Sequence, residues 1–152
     1  MVGEVNVTTK MHEVGALIGG EGNGGVIYPA LHYGRDAMVG VSLLLSSLAR
    51  KRVSLSELKR SLPRYEIVKE RIELSDPARI DRILSGVQAH YSGERINTLD
   101  GVKIDFERTR SWVHLRRSNT EPIIRIYAEA PTRAQAQALA DEVRTLATQL
   151  SA

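Results

Sequence analysis

The sequence predicts an incomplete α/β segment followed by an α+β domain, whose antiparallel sheet of about four strands carries helices on one face. Three observations lead there. The hydrophobic period changes from helical to alternating between residues 80 and 128. After residue 53 the elements run helix, strand, helix, three strands, helix, an order suited to helices on one side of a sheet. The first 52 residues supply one clear strand and two helices, too few to close a sheet with both faces covered. The expected division is therefore 1–52 and 53–152, with only the second part able to fold alone.

Val5–Val14 is a short amphipathic segment, and the apolar run Gly15–Ile18 reads as the strand leading into GGEGNGG. A loop containing Pro29 follows. Asp36 then stands where an N-cap belongs, ahead of the apolar stretch Ala37–Ala49. That stretch is broken by Gly40, Ser42, Ser46 and Ser47 and falls short of the roughly 20 residues of a membrane span. It reads as a buried helix.

Beyond Arg50-Lys51-Arg52, Ser54 and Glu57 form a capping box opening a short helix with Leu55, Leu58 and Leu62, which Pro63 ends. Tyr65–Leu74 reads as extended. Ser75 or Asp76 caps the next helix, with Pro77 near its first turn, Ile80, Ile83, Leu84 and Val87 on one face, and Gly93 as a stop. The turn signal Asp100-Gly101 introduces alternation at Val102, Ile104 and Phe106, repeated at Val113 and Leu115 and at Ile124, Ile126 and Ala128. A helix from Thr132 closes the chain, with Leu139, Val143, Leu146 and Leu150 as its apolar stripe.

A hydrophobic fraction of 42% against 26% charged residues is globular composition, which sets disorder aside. The absence of cysteine excludes disulfides and thiolate metal sites. With no secretory apolar segment near the start, a cytoplasmic protein is expected. Lys+Arg 21 against Asp+Glu 18 leaves a net charge of +3, which fits a small anionic ligand as well as a polymer.

Two loops carry candidate chemistry. Gly20, Gly22 and Gly25 satisfy G-x-G-x-x-G, but no helix follows at once, Glu21 would face the pyrophosphate, and Leu45 stands where a ribose-binding acid is needed. A dinucleotide site is therefore disfavoured. Five glycines within Gly19–Gly25 exceed what a plain turn requires, and Glu21 and Asn23 add a carboxylate and an amide able to bond vicinal hydroxyls. The second loop, His114 to Pro122, concentrates Arg116, Arg117, Ser118, Asn119 and Thr120. Guanidinium forks, hydroxyls and backbone N–H groups together suit a phosphate, and the alternative is a polar hairpin with solvated arginines. Arg125 lies on the strand face opposite Ile124 and Ile126 and is a secondary candidate. Ser118 has no local base to make it a nucleophile.

VGEVNV, GGEGNGGVIYP, HYGRDA and RRSNTEPIIRIYAEA, in this order and spacing, make the chain resemble the α-D-phosphohexomutase superfamily, which includes phosphoglucosamine mutase, phosphomannomutase and phosphoglucomutase. The resemblance covers the second half of the third of four domains and the whole of the fourth, whose sheet is like that of the TATA-box-binding protein. It implies interconversion of a hexose or hexosamine 6-phosphate and 1-phosphate through a bisphosphate intermediate. Glu21 and Asn23, with Gly22 and Gly24 in the same loop, would hold the sugar hydroxyls. Arg116, Ser118, Asn119 and Thr120, with Arg125 beside them, would hold the phosphate that is not transferred. Arg35 and Asp36 would orient the sugar loop. Many relatives have serine at the position of Asn23 and histidine at that of Gly25, so proton transfer is unassigned, with His32 a weak candidate.

The phosphoserine and the D-x-D-x-D loop that binds Mg2+ belong to upstream domains in this family, and neither motif occurs here. The resemblance therefore implies a fragment that begins inside a family motif, is inactive alone and holds no metal, with the phosphosugar and the upstream domains as partners and its oligomeric state open. Two alternatives remain: a stand-alone phosphosugar sensor, and a nucleic-acid-binding module using Arg108, Arg110, Arg116 and Arg117 with Trp112 as a stacking surface.

Overall fold

The computed structural model describes residues 3–22, 24–73, 76, 79–118 and 120–151. The chain forms two compact units that divide between Pro63 and Arg64, rather than at 52/53. The helix at Ser54 causes the difference: it buries none of its residues and adds nothing to the core of the second unit.

The first unit contains α1 (Glu4–Val14), β1 (Gly19–Gly20), β2 (Val26–Tyr28), β3 (His32–Arg35), α2 (Ala37–Lys51) and α3 (Leu55–Ser61), with an antiparallel sheet in the order β1-β2-β3. The strand expected at Gly15–Ile18 is instead the exit from α1. Gly15 caps the helix and returns its N–H to the Met11 carbonyl, so pairing begins only at Gly19. The expected loop through Pro29 is a tight hairpin, closed by Leu31 N–H donating to Tyr28 O at 2.9 Å. Strands of three and four residues are too short to show alternation.

Asp36 does cap α2, accepting from Val39 N at 3.0 Å. The capping box at Ser54 forms with both of its reciprocal bonds. The buried helix expected at Ala37–Ala49 is not realised within this unit: no α2 residue is buried, and Met38 and Leu45 are 75% and 59% exposed. A sheet of such short strands offers too little area to cover an apolar helix. Among the described residues no helix is long and apolar enough to cross a membrane.

The second unit contains β4 (Glu66–Glu73), α4 (Arg79–His90), β5 (Arg95–Asn97), β6 (Val102–Phe106), β7 (Ser111–Arg117), β8 (Ile123–Ala130) and α5 (Arg133–Ser151). Its antiparallel sheet has the order β4-β8-β7-β6-β5. β5, three residues long, is a fifth strand beyond the four expected. The cap expected at Ser75 and the first turn at Pro77 lie outside the described residues.

Alternation decides the faces. Val102, Ile104, Val113, Leu115, Ile124, Ile126 and Ala128 enter the core and meet Ile80, Ile83 and Val87 of α4. On α5 the buried residues are Ala136, Ala140, Val143 and Ala147, while the expected leucines Leu139, Leu146 and Leu150 flank them half-buried. Small side chains let the helix lie close to the sheet, and the leucines seal its edges. The other sheet face bears no helix of this unit and presents Lys69, Arg71, Lys103, Trp112, His114, Arg116, Arg125 and Tyr127.

Two outcomes follow from this division. Residues 64–152 expressed alone will unfold cooperatively in urea, followed by the fluorescence of Trp112, whereas residues 1–63 alone will show no cooperative transition. Gly101 has φ +77, and a Cβ there would sit 2.1 Å from the Leu115 carbonyl oxygen. Gly101→Ala should therefore cost about 2 kcal/mol or more in the same assay.

Candidate functional site

In the second unit β7 runs through Arg116 and Arg117, and the chain turns at Ser118 to re-enter the sheet at Ile123. Ser118 N–H donates to Ile123 O at 3.0 Å and Ile123 N–H to Glu121 O at 2.8 Å, which closes the loop. Ser118, 6% exposed, is the one buried polar residue among those described. Its Oγ accepts from Arg125 Nη2 at 3.3 Å and lies 3.5 Å from both the amide N and the Oγ1 of Thr120.

The register brings Arg116 directly opposite Arg125, so both guanidiniums rise from the same sheet face. Arg116 reaches the Asp100 carboxylate at 3.6 Å, and its Nε is buried with no hydrogen-bond partner among the described residues. A buried cationic donor left unpaired is costly, and an oxyanion would satisfy it. Arg117 alternates to the other face and is exposed. The two arginines adjacent in sequence therefore lie on opposite faces, whereas Arg116 and Arg125 share one. Asn119 lies outside the described residues. Arg108 and Arg110 sit at the opposite end of β7, about 20 Å away by strand rise, and Trp112 gives its indole N–H to Glu129 at 2.8 Å. The residues of the nucleic-acid reading thus form no single surface.

Sequence reasoning missed Asp100, taken there only as a turn signal. Its carboxylate faces Arg116 and its carbonyl oxygen bonds His114 Nε2. Aspartate in a turn is ambiguous by itself; the pairing exists only because β6 lies beside β7.

In the first unit the glycine-rich loop is a tight turn, with Glu21 N–H donating to Gly25 O and Gly24 N–H to Glu21 O, at 3.3 and 3.1 Å. A Cβ on Gly20 would lie 2.4 Å from Gly25 O, so the backbone approach itself demands glycine there. Glu21 Oε1 accepts from Gly3 N–H at 2.8 Å, at the positive end of α1. Gly22 and Gly24 flank it exposed, and Asn23 lies outside the described residues.

His32 accepts from Gly34 N–H at Nδ1, which makes Nε2 the protonated nitrogen, 3.2 Å from Asp36 Oδ2. Both ring nitrogens are thereby engaged in holding the hairpin, which limits this residue as a proton carrier. Arg35 donates from Nε and from its backbone N–H to the Glu4 carboxylate, at 2.7 and 3.2 Å. Glu4, which sequence reasoning did not select, is 31 positions away, and no local pattern reveals that contact. A cleft of about 620 Å3 opens between Glu4, Gly24, Arg35 and Asp36, and its two carboxylates and one guanidinium can both accept from and donate to hydroxyls.

The Val39 backbone N–H, then His32, hold the Asp36 carboxyl below its ordinary value of 3.8; backbone and side-chain donation from Arg35 does the same for Glu4. A depressed carboxylate contributes stability that is present above the unfolded value and is lost as pH falls through the folded one. The Val39 amide resonance should therefore move as pH drops below 3.8. Asp36→Asn, which keeps an acceptor that does not titrate, should flatten that movement; an unchanged titration in this variant would rule out the assignment to Asp36.

Residues 68–146 match the model for the phosphoglucomutase/phosphomannomutase C-terminal domain, and residues 1–65 match that for its alpha/beta/alpha domain III. The phosphoglucosamine/phosphogalactosamine mutase of Sulfurisphaera tokodaii is 38% identical over 150 residues, covering 95% of this chain and 32% of the relative. The phosphoglucomutase/phosphomannomutase of Thermococcus kodakarensis is 35% identical over 136 residues, covering 90% and 29%. A crystal structure of a phosphoglucomutase/phosphomannomutase family protein from Burkholderia thailandensis shares the fold at TM-score 0.73 and 24% identity, over 98% of this chain and 31% of that one. The chain thus spans about a third of the length of the relatives it matches. With both domain models matched in order on either side of the division seen in the fold, the chain belongs to the phosphoglucomutase/phosphomannomutase family.

Proposed function

We propose that this chain is the substrate-gripping part of a phosphohexomutase that interconverts the 6-phosphate and 1-phosphate of a hexose or hexosamine. The observation that carries this reading is the anion cradle at the end of β7: Arg116 with a buried Nε that has no partner among the described residues, opposite Arg125, which donates to the buried Ser118. The relatives' names, as phosphoglucosamine/phosphogalactosamine mutase and phosphoglucomutase/phosphomannomutase, support the substrate class.

In this reading the loop Arg116–Thr120 holds the phosphate that is not being transferred, and Glu21 and Asn23 hold sugar hydroxyls. A fixed phosphate grip that accepts either end of the sugar suits a bisphosphate intermediate that turns end for end. Phosphoryl transfer and Mg2+ belong, in the same reading, to upstream domains. The chain alone is accordingly proposed to be inactive.

Titration of the 152-residue chain with glucosamine 6-phosphate should shift the amide resonances of Ser118 and Thr120. Arg116→Ala should weaken that response at least about tenfold, as loss of a charge-assisted bond implies. Arg117→Ala, on the opposite face, should leave it unchanged. Silence at these amides up to tens of millimolar ligand, or equal sensitivity to the two substitutions, would overturn the assignment.

A further inference from the structure

On the helix-free face of the second unit the register sets three guanidiniums in one row: Arg71 opposite Arg125, and Arg125 opposite Arg116. Like charges directly across neighbouring strands are destabilising. Arg71 and Arg125 have one carboxylate each, Glu73 at 3.1 Å and Glu121 at 3.4 Å. These pairs are exposed, and exposed pairs contribute little. The next row holds Lys69 opposite Tyr127, with Nζ 5.9 Å from the ring centroid. Lys69 makes no ion pair among the described residues.

These side chains wall a groove of about 410 Å3, within the size range of small-molecule sites. Ile123 and Glu121 complete one end. Glu70 also borders it but directs its carboxylate to α5, at 2.9 Å from Arg144 and 2.6 Å from Gln137. The groove thus sets three cations against the two exposed carboxylates Glu73 and Glu121, leaving excess positive charge beside a flat aromatic ring.

We propose that this groove is a second oxyanion site, sharing Arg125 with the cradle at Ser118, which takes the phosphate group of a small phosphorylated metabolite. Arg71 and Arg125 supply planar forks and Lys69 a mobile point charge. The Tyr127 ring supplies an apolar wall for the carbon skeleton. Arg125 stands between the two sites, and the groove's own residues are Lys69 and Arg71. Because Arg125 belongs to both, the two sites are told apart at Lys69 and Arg71.

The test is a titration of the 152-residue chain with inorganic phosphate and with glucose 6-phosphate, with glucose as the uncharged control, following the amides of residues 69–71 and 125–127 separately from those of Ser118 and Thr120. The strand amides should respond to both phosphates and not to glucose. Lys69→Gln combined with Arg71→Ser should weaken the strand response at least tenfold while the loop response persists. Arg116→Ala should do the reverse, and Arg71→Lys should retain part of the strand response. Tighter binding of glucose 6-phosphate assigns a sugar-borne phosphate; equal binding assigns the free oxyanion. Response at the loop alone, or loss of both responses in Arg116→Ala, overturns the second site and leaves the loop reading intact. Response at the strands alone supports the groove and overturns the loop reading. A dispersed spectrum for each variant separates lost binding from lost fold.

Discussion

The pairing of β8 between β4 and β7 is the constraint on which the second unit depends. Its register aligns Ile124, Ile126 and Ala128 with the core and leaves Arg125, Tyr127 and Glu129 outside. A slip of one residue would exchange the two sets, burying a guanidinium and exposing three apolar side chains at once. The same register places Arg125 opposite Arg116 and lets Ser118 close its loop on Ile123. Core packing and anion cradle are therefore two faces of one hydrogen-bonded alignment. Because β4, the first strand of the unit, pairs with β8 along its whole length, that alignment also joins the two ends of the sequence of this unit.

The first unit is held differently. Its buried apolar residues are few, Met11 and Ile27, and polar contacts at helix ends add order: Glu21 on the Gly3 N–H, Glu4 on Arg35, Asp36 on Val39 and His32. Such contacts fix a loop's shape, and the two exposed ones, at Arg35 and His32, stabilise little. Apolar residues of α2 stay exposed, Met38 and Leu45 among them. The family model matched here describes an alpha/beta/alpha domain, and α2 has the composition of one of its covering helices.

The parts legible in the sequence were those governed by local rules. Alternation at Val102–Phe106, helical spacing at Ile80–Val87, the cap at Asp36 and the capping box at Ser54 each involve residues within a turn or two of one another. What escaped was set by neighbours distant in the chain. β5 is three residues long and is defined only by its pairing with β6. The choice of alanines over leucines on α5 reflects how close a helix can come to a sheet, which the stripe alone does not encode. At the site, Arg116, Ser118 and Arg125 stood out by residue type, but the separation of Arg116 from Arg117 needed the strand to be placed. Asp100 and Glu4 needed a partner strand and a partner helix before either had a role.

The under-satisfied Arg116 shows why the cradle must be built on the sheet and not on a mobile loop. A flexible arginine would swing its Nε into water and lose the energetic bias toward an anion. Here Asp100 and the β7 backbone hold the stem, so the donor stays buried and without a partner among the described residues, a cost the folded state carries. Asp100 neutralises part of the charge at 3.6 Å without an ideal fork, which leaves the guanidinium in place but not saturated. The apolar contacts of Leu115 and Ile126, paired on the core face beside Arg116 and Arg125, are what allow the fold to tolerate that local deficit.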